Sequence, residues 1–272
     1  MSRTPSRARA GSPVSDRRRL SQNFLADPAT AAALVRGSGV GARDLVVEIG
    51  PGDGMLTDRL LAVAGRVHAY EIDPRYVARL RRRYRDEPRF HCHRADFRDV
   101  TTPDEPFAVV ANIPFTGSTD IVRWCATAPR LTSATLLTQR EFARKHSGDY
   151  GRWTKLTVTH WPSHTFELGI SVHRDRFRPV PKVDAAVLRL RARARPLIAP
   201  GHERAYRDMV ELGFSGVGGS FAASLSRAHR AARVRAACER AGIDPHAPVG
   251  VVGPDGWIAV FSALRPTRDS RG

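Results

Sequence analysis

Leu45-Val46-Val47-Glu48-Ile49-Gly50-Pro51-Gly52-Asp53-Gly54, followed by the helically spaced apolar residues of Met55 to Val63, decides the fold. A short apolar run ends in glycines at alternate positions, and a helical pattern begins at once, so the stretch reads strand, glycine loop, helix. Glycines there permit a sharp turn and let a ligand approach the backbone closely. The spacing is G-x-G-x-G rather than G-x-G-x-x-G, and no arginine or lysine lies in the loop. A pyrophosphate loop leans on a helix N-terminus and added positive charge. Glu48 and Asp53 stand here instead, which suits a cationic or neutral nucleoside better. Taken alone, the loop is a weak signal, since a structural turn can account for it too.

Working outward, Val67 to Ile72 reads as a second strand and Tyr76 to Tyr84 as a strongly basic helix. Ala108 to Ala111 is a third strand, residues 119–126 a helix, and Ala134 to Thr138 a further strand. Upstream, residues 28–37 fit a helix capped by Asp27 with Pro28 at its first position. Strands alternating with helices imply an α/β fold with a mostly parallel, doubly wound sheet. From Trp153 the pattern changes. Leu156 to His160, Phe166 to Val172 and Ala185 to Leu190 read as strands, after which Arg189, Arg191, Arg193 and Arg195 alternate and share one face if extended. The Pro- and Gly-containing stretch 195–201 is the best boundary. Beyond it, residues 203–213, 220–229, 231–241 and 255–264 fit short helices, with Gly242 a C-terminal stop. The expected organisation is a disordered basic tail over 1–19, an α/β domain over 20–194 and a small all-helical domain over 195–272.

Of 272 residues, 42% are hydrophobic and 26% charged, an ordinary globular composition. No apolar run approaches the roughly 18–20 residues of a membrane span, and the arginine-rich start has no apolar signal core. Cys92, Cys125 and Cys238 show no C-x-x-C spacing. They read as reduced thiols of a cytoplasmic protein rather than a zinc or disulfide framework. His91, His93, His160 and His164 form no metal set at ligand spacing, so no metal is expected.

Charge is the unusual figure. Lys and Arg number 44 against 27 Asp and Glu, a net +17, and only Lys145, Lys155 and Lys182 are lysines. Arginine preference can reflect base composition, but a fold gains nothing from +17, whereas a polyphosphate partner releases counterions at each neutralised phosphate. Arg75, Arg79, Arg82 and Arg83 fall at helical spacings, with Arg81 and Arg85 beside them and no acid within 75–85. RNA phosphate explains that helix better than a merely solvated face. The alternating Arg189 to Arg195 series is a second candidate.

Three strand ends carry the chemistry. Glu71, seventeen residues past Gly54, ends the second strand and can accept from both hydroxyls of a ribose, while Asp73 caps the next helix. Ala95-Asp96-Phe97 can set a carboxylate on an adenine amine and an apolar ring on the adenine face. These signals imply a nucleoside cofactor without separating NAD from S-adenosylmethionine. Asn112-Ile113-Pro114-Phe115, directly after the third strand, decides. The exocyclic N6 of adenine is a poor nucleophile because its lone pair is delocalised. An Asn side-chain oxygen and a backbone carbonyl can accept both N6 hydrogens and draw that pair out of conjugation. Pro114 fixes φ and holds the carbonyl of Ile113 in place. Phe115 offers a face for an extruded base, worth roughly 1–3 kcal/mol.

These motifs, with Leu20-Ser21-Gln22-Asn23-Phe24-Leu25 and Phe177-Arg178-Pro179-Val180-Pro181-Lys182-Val183, make the chain resemble the ribosomal-RNA adenine N6-methyltransferases over about residues 17 to 265. Within them it is most similar to the erythromycin-resistance (Erm) branch that acts on 23S rRNA. The resemblance implies a Rossmann-like methyltransferase domain and S-adenosyl-L-methionine as cofactor. It implies N6-methylation of the macrolide-site adenine in domain V of 23S rRNA, by a monomer working before full ribosome assembly. Resistance to macrolides, lincosamides and streptogramin B follows. Asn23, Leu25, Gly50, Gly52, Glu71, Ile72, Asp96, Phe97 and Asn112 are then expected at the cofactor. Asn112, Ile113, Pro114 and Phe115 are expected at the target base, with Phe177 a second aromatic wall, and Arg75, Arg79, Arg82, Arg83 and Lys182 on RNA. Phe115 stands where many relatives carry Tyr, and Phe214 to Ser220 is glycine-rich where some are basic. The 16S rRNA adenine dimethyltransferase shares every catalytic motif and is the alternative enzyme. A non-catalytic assembly or transcription factor on the same fold is the alternative outside enzymes, against which the intact Asn112 to Phe115 argues.

Overall fold

Phe24–Leu25 forms a short strand (β1), and Asp27 then caps Pro28–Ser38 (α1) by accepting from the Thr30 N–H at 2.9 Å. These open the part of the chain that the computed structural model describes, residues 23–265. The expected tail over 1–19, and Leu20 to Gln22, lie outside the described residues.

Leu45–Ile49 (β2), Arg66–Glu71 (β3), Phe90–Arg94 (β4), Phe107–Asn112 (β5) and Leu131–Gln139 (β6) pair in parallel. Met55–Leu61 (α2), Pro74–Arg83 (α3) and Ser118–Thr127 (α4) make the crossovers. Arg140–Ser147 (α5) and Lys155–His160 (α6) lead to His164–Val172 (β7), Phe177–Arg178 (β8) and Ala185–Ala192 (β9). β9 runs antiparallel to both β6 and β7, giving the order β4-β3-β2-β5-β6-β9-β7. β8 pairs with β1 in a separate two-stranded sheet.

Alternation of side chains sorts the central strands between two cores. Val46, Val67 and Ala69 pack with Leu34, Leu60 and Leu80 of α1, α2 and α3. Val47, Val109 and Ala111 pack on the other face with Ile121 and Cys125 of α4 and Ala143 of α5. Every residue of β2 is buried, as a central parallel strand covered on both faces must be. The remaining helices, Glu203–Gly213 (α7), Phe221–Leu225 (α8), Ala231–Arg240 (α9) and Pro254–Leu264 (α10), enclose a third core around Trp257, Tyr206 and Phe221. Gly242 adopts φ +65° beyond α9, as its stop position requires.

Two expectations fail. Leu156 to His160 is helix α6, not a strand. Thr154 caps it by accepting from the Thr157 N–H at 3.1 Å, and the Thr157 hydroxyl donates to the His146 carbonyl at 2.9 Å. Val158 belongs to the third core, so packing overrides the β-branched run. Nor do the alternating arginines form one face, because β9 ends at Ala192. The Arg189 guanidinium lies on Gly37, where a Cβ would come within 2.6 Å of it. Arg191 reaches Glu167 at 4.0 Å, and Arg193 donates to the Trp161 carbonyl at 3.0 Å.

Candidate functional site

The carboxyl ends of β2, β3 and β5 and the segment after β4 border one cleft of about 440 Å³. This is where open parallel sheets bind ligands, at the point where the strand order reverses. Asn23, Gly50, Glu71, Ile72, Asp96, Phe97, Asn112, Ile113, Pro114 and Phe115 all line it. Five separate sequence motifs therefore converge on one place.

The glycine loop is shaped by backbone. Gly50, Gly52 and Gly54 have φ of +67°, +54° and +86°, which any side chain would strain. Gly50 donates to the Tyr70 carbonyl at 2.9 Å. Phe24 lies so close over Gly52 that a Cβ there would meet its ring at 2.6 Å.

Glu71 is only 2% exposed. Its Oε1 accepts from the Asp73 N–H at 2.9 Å and its Oε2 from the Gly52 N–H at 3.2 Å. Burial raises its pKa, opposed by those backbone donors. Both donors fix the carboxylate at the strand end, with acceptor capacity left for a diol. Asp73 instead caps α3, accepting from the Arg75 N–H at 2.9 Å. Ile72, 46% exposed, and Phe97 flank the cleft with apolar surface. Asp96 begins the next turn. Its carboxylate is held by Arg98, which keeps the carboxyl below its ordinary range.

The base-handling motif is anchored by its second residue. Ile113 is 2% exposed in the core, and its N–H donates to the Leu137 carbonyl at 3.0 Å. Asn112 Nδ2 donates to the Asn23 carbonyl at 2.9 Å. A carbonyl can only accept, so this contact fixes which way the amide faces and leaves Oδ1 as its acceptor. The Ser118 hydroxyl donates to the Pro114 carbonyl at 3.0 Å, and Phe115 is half-buried in the cleft wall. The cleft thus offers a buried carboxylate, apolar walls and one oriented amide oxygen, a set that fits a nucleoside beside an aromatic amine.

Several expected residues lie elsewhere. Phe177 is 0% exposed and outside the cleft lining. Its backbone pairs with Leu25 between β8 and β1, and both side chains enter the core under that pair, so Phe177 is no wall of the cleft and Leu25, expected at the cofactor, is not part of its lining. Gly52 contributes through its N–H on Glu71 rather than at the lining. Glu48 and Asp53 do not give the cleft its charge. Glu48, 1% exposed, accepts from the Thr57 hydroxyl at 2.7 Å, and burial pushes its pKa up to about 8. Asp53 pairs with Arg79.

The basic helix is also less unpaired than its sequence suggests. Arg75 pairs with Asp73, Arg79 with Asp53, Arg83 with Asp58 and Arg85 with Asp86, while Arg81 donates to the Cys92 carbonyl at 2.8 Å. The carboxylates come from other elements or from just outside residues 75–85. Arg82 and Lys182 are exposed and form no ion pair among the described residues. Phe24, Tyr70, Arg98, Thr116, Gly117 and Asp120 line the cleft without having been expected there. Of these, Phe24 and Tyr70 carried a signal, Phe24 in the Leu20 to Leu25 motif and Tyr70 in the strand-end run Tyr70 to Asp73. No group of three or more metal-ligating side chains is arranged to hold an ion among the described residues. No helix there is long and apolar enough to cross a membrane.

The family model for ribosomal RNA adenine dimethylase matches residues 14–265. An rRNA adenine N-6-methyltransferase of Aeromicrobium erythreum is 46% identical over 274 residues, covering 98% of this chain and 81% of that protein. The crystal structure of the 23S rRNA methyltransferase ErmE gives a TM-score of 0.84 at 45% identity, over 89% of this chain and 99% of that one. A ribosomal RNA small subunit methyltransferase A of Synechococcus sp. is 32% identical over 260 residues, 91% of this chain and 92% of that protein.

Proposed function

The chain belongs to the ribosomal RNA adenine dimethylase family and is an S-adenosylmethionine-dependent rRNA adenine N6-methyltransferase, and from that premise we propose that it modifies the macrolide-site adenine in domain V of 23S rRNA. The product blocks macrolide, lincosamide and streptogramin B binding, so the activity confers resistance. The higher identity to the 23S enzyme than to the small-subunit one supports this target over 16S rRNA.

The observation that carries the reading is the amide of Asn112, whose Nδ2 is spent on Asn23 and whose Oδ1 remains to accept. Oδ1 draws one N6 hydrogen and with it the lone pair out of the ring. Phe115 stacks on the base once it has left its helix. No side chain need remove a proton first, since N6 becomes acidic as the new bond forms. S-adenosylmethionine, when bound, supplies an electrophilic methyl on a sulfonium. Glu71 would hold its ribose and Asp96 its adenine amine, with Ile72 and Phe97 on the adenine faces, while Asn23 and Gly50 present backbone. Arg82 and Lys182 meet phosphate, as exposed cations without a carboxylate partner among the described residues, and Arg75 joins them as an exposed cation that also pairs with Asp73. Residues 195–265, the described part of the 195–272 region, form a small helical domain on this reading, the enzyme acts as a monomer, and its place of action is the cytoplasm, on rRNA not yet fully assembled.

Primer extension on rRNA from cells expressing the chain tests the target. A stop at one adenine of domain V, absent with Asn112→Ala, is the expected result. A stop in 16S rRNA overturns it.

A further inference from the structure

Helix α3 reaches back onto the glycine loop. One turn apart on its face, Arg79 pairs with the Asp53 carboxylate and Arg83 Nη1 donates to the Asp53 carbonyl at 3.2 Å. Arg83 Nη2 also donates to Asp58 Oδ2 at 2.6 Å, and the Tyr84 hydroxyl to Asp58 Oδ1 at 2.6 Å. Asp58 stands in the first turn of α2, the helix that the loop launches. The loop is closely covered there. A Cβ on Gly54, already at φ +86°, would lie 3.1 Å from both Leu80 Cδ2 and Tyr84 Oη. Its other side is gripped by Glu71 on the Gly52 N–H and by the ring of Phe24 on Gly52.

We infer that Arg79 and Arg83 are positioning residues of the cofactor loop, clamping Gly50 to Gly54 through Asp53 and Asp58, rather than contacts to RNA phosphate. Their charges are satisfied within the protein, and their contacts fall on the end of the loop at Asp53 and on the first turn of the helix it launches at Asp58. A guanidinium suits this task because its fork engages a carbonyl and a carboxylate together, as Arg83 does. Arg82, on the same turn and exposed, has no such partner among the described residues and stays the phosphate contact. The inference rests on the cleft holding S-adenosylmethionine.

The experiment uses the full chain, with S-adenosylmethionine titrated by calorimetry and an RNA hairpin by filter binding at three salt concentrations. Each partly exposed pair contributes only modestly to holding the loop. Arg79→Ala/Arg83→Ala should therefore weaken cofactor binding about three- to tenfold, with the loss in KM for the cofactor rather than in kcat. Arg83→Lys should recover part of it. The slope of log K against log salt should match the parent, whereas Arg82→Ala flattens it by about 0.7–0.9. If the double variant folds poorly, Asp58→Ala breaks the clamp from the other side without removing a cation. The clamp expects weaker cofactor binding there, and a phosphate role for Arg83 expects unchanged cofactor binding with tighter RNA binding. Unchanged cofactor affinity in the arginine and Asp58 variants, with a salt slope reduced by one contact per arginine, overturns the inference. Glu71→Gln separates the two failures, because unchanged affinity in that variant too means that the cleft reading itself has failed.

Discussion

The two halves of the cleft are built differently. On the cofactor side the geometry is fixed by backbone: three positive-φ glycines and a carboxylate held by two N–H groups. On the base side one amide is fixed by Asn23, and one aromatic wall, Phe115, lines the cleft while Phe177 sits fully in the core. A small flexible cofactor gains from a preorganised site, because little ordering is left to be done on binding. An extruded base arrives with an RNA that brings its own contacts, so one oriented acceptor and one ring face can suffice. The difference teaches where each class of substitution should register: in cofactor affinity on one side, in turnover on the other.

The largest expected effect tests the base side. Asn112→Ala removes the one side-chain acceptor argued to prepare N6, and loss of one preorganised polar group at a reacting centre costs about 100- to 1000-fold in turnover. Single-turnover methyl transfer at saturating RNA measures it, and RNA binding should change far less. A turnover near the parent value would make the base side a stacking platform alone.

Glu71→Gln tests the other side with a smaller effect. Hydrogen bonds to charged groups are worth about 1.5–3 kcal/mol, so affinity for S-adenosylmethionine should fall about ten- to hundredfold with RNA affinity unchanged. Burial raises the Glu71 pKa, so the parent should lose cofactor affinity on acidification at a higher pH than an ordinary glutamate allows, and the Gln variant should lack that dependence. Equal losses in cofactor binding and turnover, at saturation in both substrates, would blur the division between the halves.

The division follows what the sequence could tell. Strand ends and the positive-φ glycines were legible because one-dimensional spacing sets them, and so Gly50, Glu71, Asp96 and Asn112 meet as expected. α6 was not, since Leu156 to His160 has a strand-like composition and its helix is decided by the Thr154 cap and by Val158 packing on a distant core. β4 was legible only by its end at Ala95 and not by its span, because Phe-His-Cys-His-Arg is an edge strand whose solvent face is polar. Phe177 misled for a related reason. A motif places a residue near a site, but only packing across β1 and β8 decides which way its ring goes. The arginines of α3 show the limit for charge, because their carboxylate partners Asp53 and Asp58 lie more than twenty residues away in sequence.

The smallest effect concerns Glu48, which lies behind the cofactor side and touches no part of the cleft. It is buried at the end of β2 with Thr57 as its hydrogen-bond donor, and burial pushes its pKa from an ordinary 4.5 up to about 8. The folded protein therefore holds a proton that the unfolded chain releases above pH 4.5. Its contribution to stability is complete below that value, declines as pH rises and is lost through the folded pKa near 8. The steepest slope that one such proton can give is about 1.4 kcal/mol per pH unit. Glu48→Gln keeps an acceptor for Thr57 and has no proton to lose, so its stability should be flatter across this window. Urea midpoints for parent and variant at pH 5, 6.5, 8 and 9 measure the difference. Parallel profiles would mean that Glu48 is ionised in the folded state, compensated by water or a neighbouring cation. A widening gap in favour of the variant as pH rises would place a neutral carboxyl beneath the glycine loop.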